Sequence, residues 1–178
     1  MHRRAAALLA ALALILITGC VEGGGEPMET VPYVDLKRFM GDWYVVANIP
    51  TFVEKGAYNP VESYKLNPDG TIATTFTFNK DGFDGPLKTY HPKGFVLNKE
   101  TNAHWGMQFI WPFKGDFRII YLDDDYQTTV IGRAKRDYVW VMSRTPEFSD
   151  AEFDKMKAFI ESVGYDASKL QRCPHETG

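Results

Sequence analysis

The chain is poor in the residues that carry most enzyme chemistry. It has 2 cysteines and 4 histidines among 178 residues. No Gly-x-Ser-x-Gly elbow, His-Glu-x-x-His pair, paired-cysteine motif or phosphate-cradling glycine loop occurs in it. His91, His104 and His175 lack the spacing of metal ligands, and Asp123-Asp124-Asp125 lacks the glycine and distal glutamate of a calcium loop. These absences point away from catalysis, from a resident metal and from a cofactor. Positive charge is also scarce: 20 Lys and Arg against 23 Asp and Glu give a net charge of −3. Nothing basic is in surplus to attract nucleic acid or an anionic bilayer. The longest apolar run, Ala5 to Ile17, has thirteen residues, whereas a spanning helix needs about 20.

That run is informative in its own right. Arg3 and Arg4 precede it and Thr18-Gly19-Cys20 comes after it, the layout of a secretory signal. The ending resembles the bacterial lipobox, which implies that Cys20 receives a diacylglyceryl group and that cleavage falls before it. Residues 1–19 are therefore expected to be a lipoprotein signal peptide. Residues 20–34 would be the lipidated cysteine and a flexible linker, Gly23-Gly24-Gly25 and Pro27 being unable to bury apolar surface. Each buried methylene is worth about 0.8 kcal/mol, so two or three acyl chains tether a domain stably. Val21 after the cysteine, by resemblance to proteobacterial sorting, implies the outer membrane. Removing 19 of 178 residues leaves 159, enough for one domain with a core, and takes the charge from −3 to −5. With Cys20 lipidated, Cys173 has no disulfide partner in the chain. It is read as an idle thiol in a polar tail, 173–178.

Between these ends, short runs rich in β-branched and aromatic residues are broken by Gly, Pro, Asn and Asp every eight to twelve positions. Strands are predicted near 42–49, 60–66, 71–79, 86–97, 103–111, 116–122, 127–133 and 138–145. Asn67-Pro68-Asp69-Gly70 and Asn79-Lys80-Asp81-Gly82 have the residues of hairpin turns. One helix is predicted over 150–163: Ser149 and Glu152 form a capping box, Gly164 ends it, and Phe153, Met156, Phe159, Ile160 and Val163 make one apolar stripe.

Gly41-Asp42-Trp43-Tyr44, Asp125-Tyr126 in its acidic turn, and Trp140 to Pro146 with Arg144 occur in this order across roughly residues 35 to 165. The set resembles the lipocalin signature. The resemblance implies an all-β fold, an eight-stranded antiparallel up-and-down barrel over 35–172 with one C-terminal helix packed outside. Gly41, Trp43, Asp125, Tyr126 and Arg144 would be its structural motif residues, with the Arg laid over the Trp at the closed end. Tyr58 to Tyr64 and Asp137 to Pro146 look like the bacterial outer-membrane lipocalins and their apolipoprotein D relatives.

Strand alternation assigns faces. It places Trp105, Met107, Phe109 and Trp111 inward on one strand, and Phe117, Ile119 and Tyr121 on the next. Phe76 with Ile72, Thr74 and Phe78, and Tyr138 with Trp140 and Met142, complete the inner face, joined by Val45, Ala47 and Ile49 if Trp43 points in. The expected ligand-binding set is Trp105, Met107, Phe109, Phe117, Ile119, Tyr121, Phe76, Tyr138 and Trp140. Such a barrel either encloses a cavity or is filled by its own side chains. The expected function is an outer-membrane lipid-binding protein facing the periplasm, monomer or weak dimer, that stores or transports a fatty acid or lysophospholipid. A filled structural barrel and a lipid-modifying enzyme are the alternatives.

Overall fold

The β-branched and aromatic runs form antiparallel strands, and the sheet closes on itself. A computed structural model describes residues 27–176; the expected signal peptide, Cys20 and Gly23-Gly24-Gly25 of the expected linker lie outside the described residues. A short helix α1 (Leu36–Phe39) precedes β1 (Gly41–Ile49), β2 (Ala57–Leu66), β3 (Thr71–Lys80), β4 (Leu87–Tyr90) and β5 (Lys93–Val96). Then come β6 (His104–Ile110), β7 (Phe113–Leu122), β8 (Thr128–Gly132), β9 (Val139–Ser143), α2 (Asp150–Ser162) and β10 (Gln171–Arg172). β4 and β5 both pair with β3 and form one barrel strand interrupted at His91-Pro92, where proline can donate nothing to the ladder. β9 returns to β1 through Tyr44↔Ser143 to Ile49↔Val139. The result is a closed eight-stranded antiparallel barrel, with β10 added beside β1.

Two apolar layers result from the alternation. One fills the lower barrel around Trp43, Tyr64, Trp105 and Phe117. The other joins the outer faces of Val130, Val139 and Val141 to Met156 and Ile160 of α2, flanked by Phe153, Phe159 and Val163. The α2 capping box forms as the sequence predicts: Ser149 Oγ accepts from Glu152 N at 3.3 Å and Glu152 Oε2 accepts from Ser149 N at 2.7 Å. Gly164, at φ +90°, supplies the left-handed turn after it.

The closed end is built on α1. Gly41 has φ +97°, which lets the chain turn from α1 into β1. The Trp43 indole donates to the Phe39 carbonyl at 2.8 Å, and the Arg144 guanidinium lies 3.7 Å from its ring centroid. In the turn between β7 and β8, Tyr126 Oη accepts from Asp35 N at 2.9 Å. The carboxylate that closes this turn is that of Asp123, accepting from Gln127 N and Thr128 N at 2.7 and 3.0 Å. Asp125 contributes its carbonyl to the Gln127 side chain at 3.1 Å.

Candidate functional site

Bulges decide which residues face the barrel interior. A register shift between Ile119 and Tyr121 adds one residue to β7 and reverses the faces of the residues after it. Tyr121 therefore faces outward, contrary to the strand parity, with its ring 5.3 Å from Phe159 of α2. A shift between Val45 and Ala47 likewise turns Ala47 and Ile49 into the helix-facing layer. It leaves Asn48 opposite Trp140, on the inner face. On β6 the register shifts after Met107; Phe109 is 60% exposed and Trp111 81% exposed, so Trp111 does not face inward. Tyr138, just before β9, stands at the rim with Arg133 at 5.3 Å from its ring.

The remaining inner face encloses a cavity of about 400 Å³ that opens at one end of the barrel. Met107 and Phe117 form its floor, Phe76, Tyr90, Ile131 and Trp140 its walls, and Phe52, Phe109, Ile110 and Phe113 its rim. Of the nine residues expected to bind ligand, five line this cup: Phe76, Met107, Phe109, Phe117 and Trp140. Trp105 stacks on Phe117 at 5.0 Å, and with Ile119 it belongs to the packed layer below. Tyr121 and Tyr138 stand outside the lining, the first turned out by the β7 bulge and the second held at the rim.

The polar groups of the cup were not read from the sequence. Glu54 reaches in from the loop between β1 and β2 and is 6% exposed. Its Oε1 accepts from Trp140 Nε1 at 2.6 Å, and its Oε2 from Thr51 N and Oγ1 at 2.9 and 2.7 Å. Glu62, on β2, accepts a hydrogen bond from the Tyr64 hydroxyl. Burial pushes the Glu62 carboxyl up to about 7; the Tyr64 hydrogen bond opposes this and the nearby Glu54 charge adds to it. The signal for Glu62 was available, because it shares strand parity with the inward-facing Tyr64. Glu54 had none, since alternation says nothing about loops.

Asp116 and Arg133 also line the cup. Burial works against ionisation of Asp116, yet the Ala134 N–H and Arg118 hold its carboxyl below the usual range. His104 Nε2 also meets Asp116 Oδ1, at 2.9 Å. Cys173 is not in a polar tail. It is buried against the inner layer, its N–H donates to the Val46 carbonyl at 3.0 Å, and burial pushes its thiol up to about 12. Among the described residues, no group of three His, Cys, Asp or Glu is placed to hold a metal ion, and no helix is long and apolar enough to cross a membrane.

A sequence model of the lipocalin-like domain matches residues 34–175. The chain belongs to the lipocalin family. This lipocalin is 33% identical over 155 residues to temperature-induced lipocalin-1 of Arabidopsis thaliana, with 84% of this chain and 83% of the relative covered. It is 31% identical over 165 residues to the outer membrane lipoprotein Blc of Escherichia coli strain K12, covering 90% and 91%. Among solved structures, insecticyanin from the tobacco hornworm Manduca sexta superposes on this lipocalin with a TM-score of 0.66 at 14% identity, over 84% of this chain and 85% of that one.

Proposed function

We propose that this lipocalin binds one apolar or amphipathic lipid, a fatty acid or lysophospholipid, in its cup. It stores or carries that lipid at the outer membrane, facing the periplasm, and so serves maintenance of the cell envelope. The observation that carries the reading is the open apolar cavity of about 400 Å³, a volume within the roughly 300–1,000 Å³ of small-molecule sites. A barrel serving only as a structural element would have its interior filled by side chains. Burying an alkyl chain of about twelve methylenes gains on the order of 10 kcal/mol, against an association cost of about 4–15 kcal/mol. At the low end of that cost about 6 kcal/mol remains, a dissociation constant of roughly tens of micromolar.

The location rests on the lipobox ending at Cys20 and on the likeness to a relative named an outer membrane lipoprotein. A binding role rather than a catalytic one is supported by Cys173, whose buried, protonated thiol is a poor nucleophile. The test is mass spectrometry of organic-extractable material that co-purifies with the mature chain, with tryptophan fluorescence titration after delipidation. A lipid in near-equimolar amount and saturable quenching near one ligand per barrel are expected; a barrel that retains nothing and takes up nothing overturns the reading. For the anchor, Cys20→Ser should leave the protein unprocessed in the inner membrane or soluble in the periplasm. Recovery in the outer membrane at the wild-type level would refute it.

A further inference from the structure

The apolar cup carries an acidic wall of two carboxyls, neither of them in an ion pair among the described residues. Glu54 and Glu62 both line the cavity, Glu54 fixed by Thr51 and Trp140 and Glu62 by Tyr64. The donors they hold are neutral N–H and O–H groups, so neither carboxyl is part of a salt bridge. Asn48 lies on the same inner face, opposite Trp140, and is 2% exposed. Its Oδ1 has no hydrogen-bond partner among the described residues, a state that buried acceptors seldom tolerate. Two carboxyls thus face into one largely apolar space, while Asn48 lies outside its lining.

The other charged groups of the cup are already engaged. Arg133, also in the lining, is ion-paired with Asp137 at 3.5 Å although its buried Nε makes no hydrogen bond, and Asp116 is engaged by Arg118 and His104. Arg144 lies at the closed end, over Trp43. Cys173, beside Glu54, keeps its proton, and so does Tyr64. Tyr90 lines the wall beside Phe76.

We propose that the Glu54–Glu62 wall selects the polar end of the ligand: the cup prefers an amphiphile ending in an alkylammonium and discriminates against one ending in a free carboxylate. An ammonium brings three donors, a positive charge and no acceptor, which complements the two carboxyls. A carboxylate brings charge of the same sign into a low-dielectric site, where like charges repel strongly. A neutral alcohol stands between the two. Because Glu62 exchanges its proton near neutrality, the preference sharpens as pH rises and its carboxyl becomes charged. The preference rests on the proposed lipid-binding role and narrows its ligand class away from the fatty acid.

The experiment titrates decylammonium, decanol and decanoate into the full mature chain carrying Cys20→Ser, which needs no detergent, with tryptophan fluorescence as readout at pH 6 and pH 8. All three probes share one alkyl chain, and neither charged probe changes its ionisation appreciably over this range. At pH 8 the affinity order should be decylammonium, decanol, decanoate, with a first-to-last span on the order of tenfold or more. From pH 6 to pH 8 decylammonium should tighten and decanoate weaken. Glu62→Gln, nearly isosteric, should narrow the span and flatten both pH trends; its thermal melt verifies folding, and the wild-type order stands as a test without it. Decanoate binding as tightly as decanol at pH 8, or three equal affinities, overturns the selectivity while leaving the lipid-binding role intact. Failure of all three to bind overturns that role and the selectivity with it.

Discussion

The guanidinium of Arg144 lies 3.7 Å from the ring centroid of Trp43, and the same group donates to five carbonyls around it: Arg38 at 2.9 Å, Phe39 at 3.1 Å, Met40 at 3.0 Å, Asp42 at 2.7 Å and Tyr126 at 3.3 Å. One side chain thus supplies a cation–π contact and satisfies the carbonyls at the end of α1. Arg144→Ala should cost about 1–3 kcal/mol, read as a lower denaturant midpoint with ligand present or absent. Arg144→Lys should recover only part of it, because an ammonium cannot spread donors over so many carbonyls. An unchanged midpoint for the alanine variant would mean that the contact contributes nothing to the fold.

Glu62 makes stability depend on pH in a direction opposite to most carboxylates. Its folded-state value is raised from 4.5 to about 7, so the native protein holds the proton more tightly than the unfolded chain. The contribution is fully present below pH 4.5 and is lost as pH rises through about 7. Glu62→Gln, which removes the titration, should therefore be more stable than wild type at pH 8 by roughly 1–3 kcal/mol, the gap closing toward pH 5. Paired urea melts at the two pH values measure it. A gap that widens on acidification would place the Glu62 carboxyl in a solvated, ion-paired setting instead.

The sequence made the barrel legible because its cues are local. Turn residues, alternation and the ordered Gly41, Trp43, Tyr126 and Arg144 positions each constrain a strand or a corner, and the α2 capping box lies within four residues. The cup was legible only in part, because alternation propagates errors past any inserted residue. The single-residue shifts near Val46 and Ile120 reversed the faces of Ala47, Ile49 and Tyr121, and neither is marked by a glycine or proline. The C-terminal segment was misread for a related reason. Its composition is polar, yet β10 pairs with β1 and Asn59 N donates to the Pro174 carbonyl at 2.8 Å, which carries Cys173 into the core. The acidic wall escaped because a charged residue on a strand reads as solvent-facing unless a cavity is already in view.

Cys173 offers a direct check on that corrected position. A thiol that is 9% exposed and pushed up to about 12 is present almost wholly as the unreactive protonated form at neutral pH. Reaction of Cys20→Ser protein with an aromatic disulfide reagent at pH 8 should be slower than that of the unfolded chain by at least roughly a hundredfold, and should accelerate in step with urea unfolding. Prompt labelling of the native protein would return Cys173 to the surface.

The corrected faces of β6 and β7 predict that three aromatic or apolar side chains close in sequence behave in three different ways. Met107 is 6% exposed on the cavity floor, so Met107→Lys should abolish saturable lipid quenching, because a charged side chain then occupies the floor on which the alkyl chain would pack and would itself engage the acidic wall. Phe109, at the rim and 60% exposed, tolerates a charge in water. Phe109→Asp should leave the fold intact and weaken binding by no more than about tenfold, the scale of losing roughly one good apolar contact. Tyr121 packs on Phe159 outside the barrel; Tyr121→Ala should lower stability by about 1–3 kcal/mol while the affinity of the folded protein stays unchanged. Gln108→Lys, on the outer face of β6, is the control and should bind as wild type. If Tyr121→Ala lost ligand affinity while remaining folded, the register shift in β7 would be wrong and simple strand parity would hold.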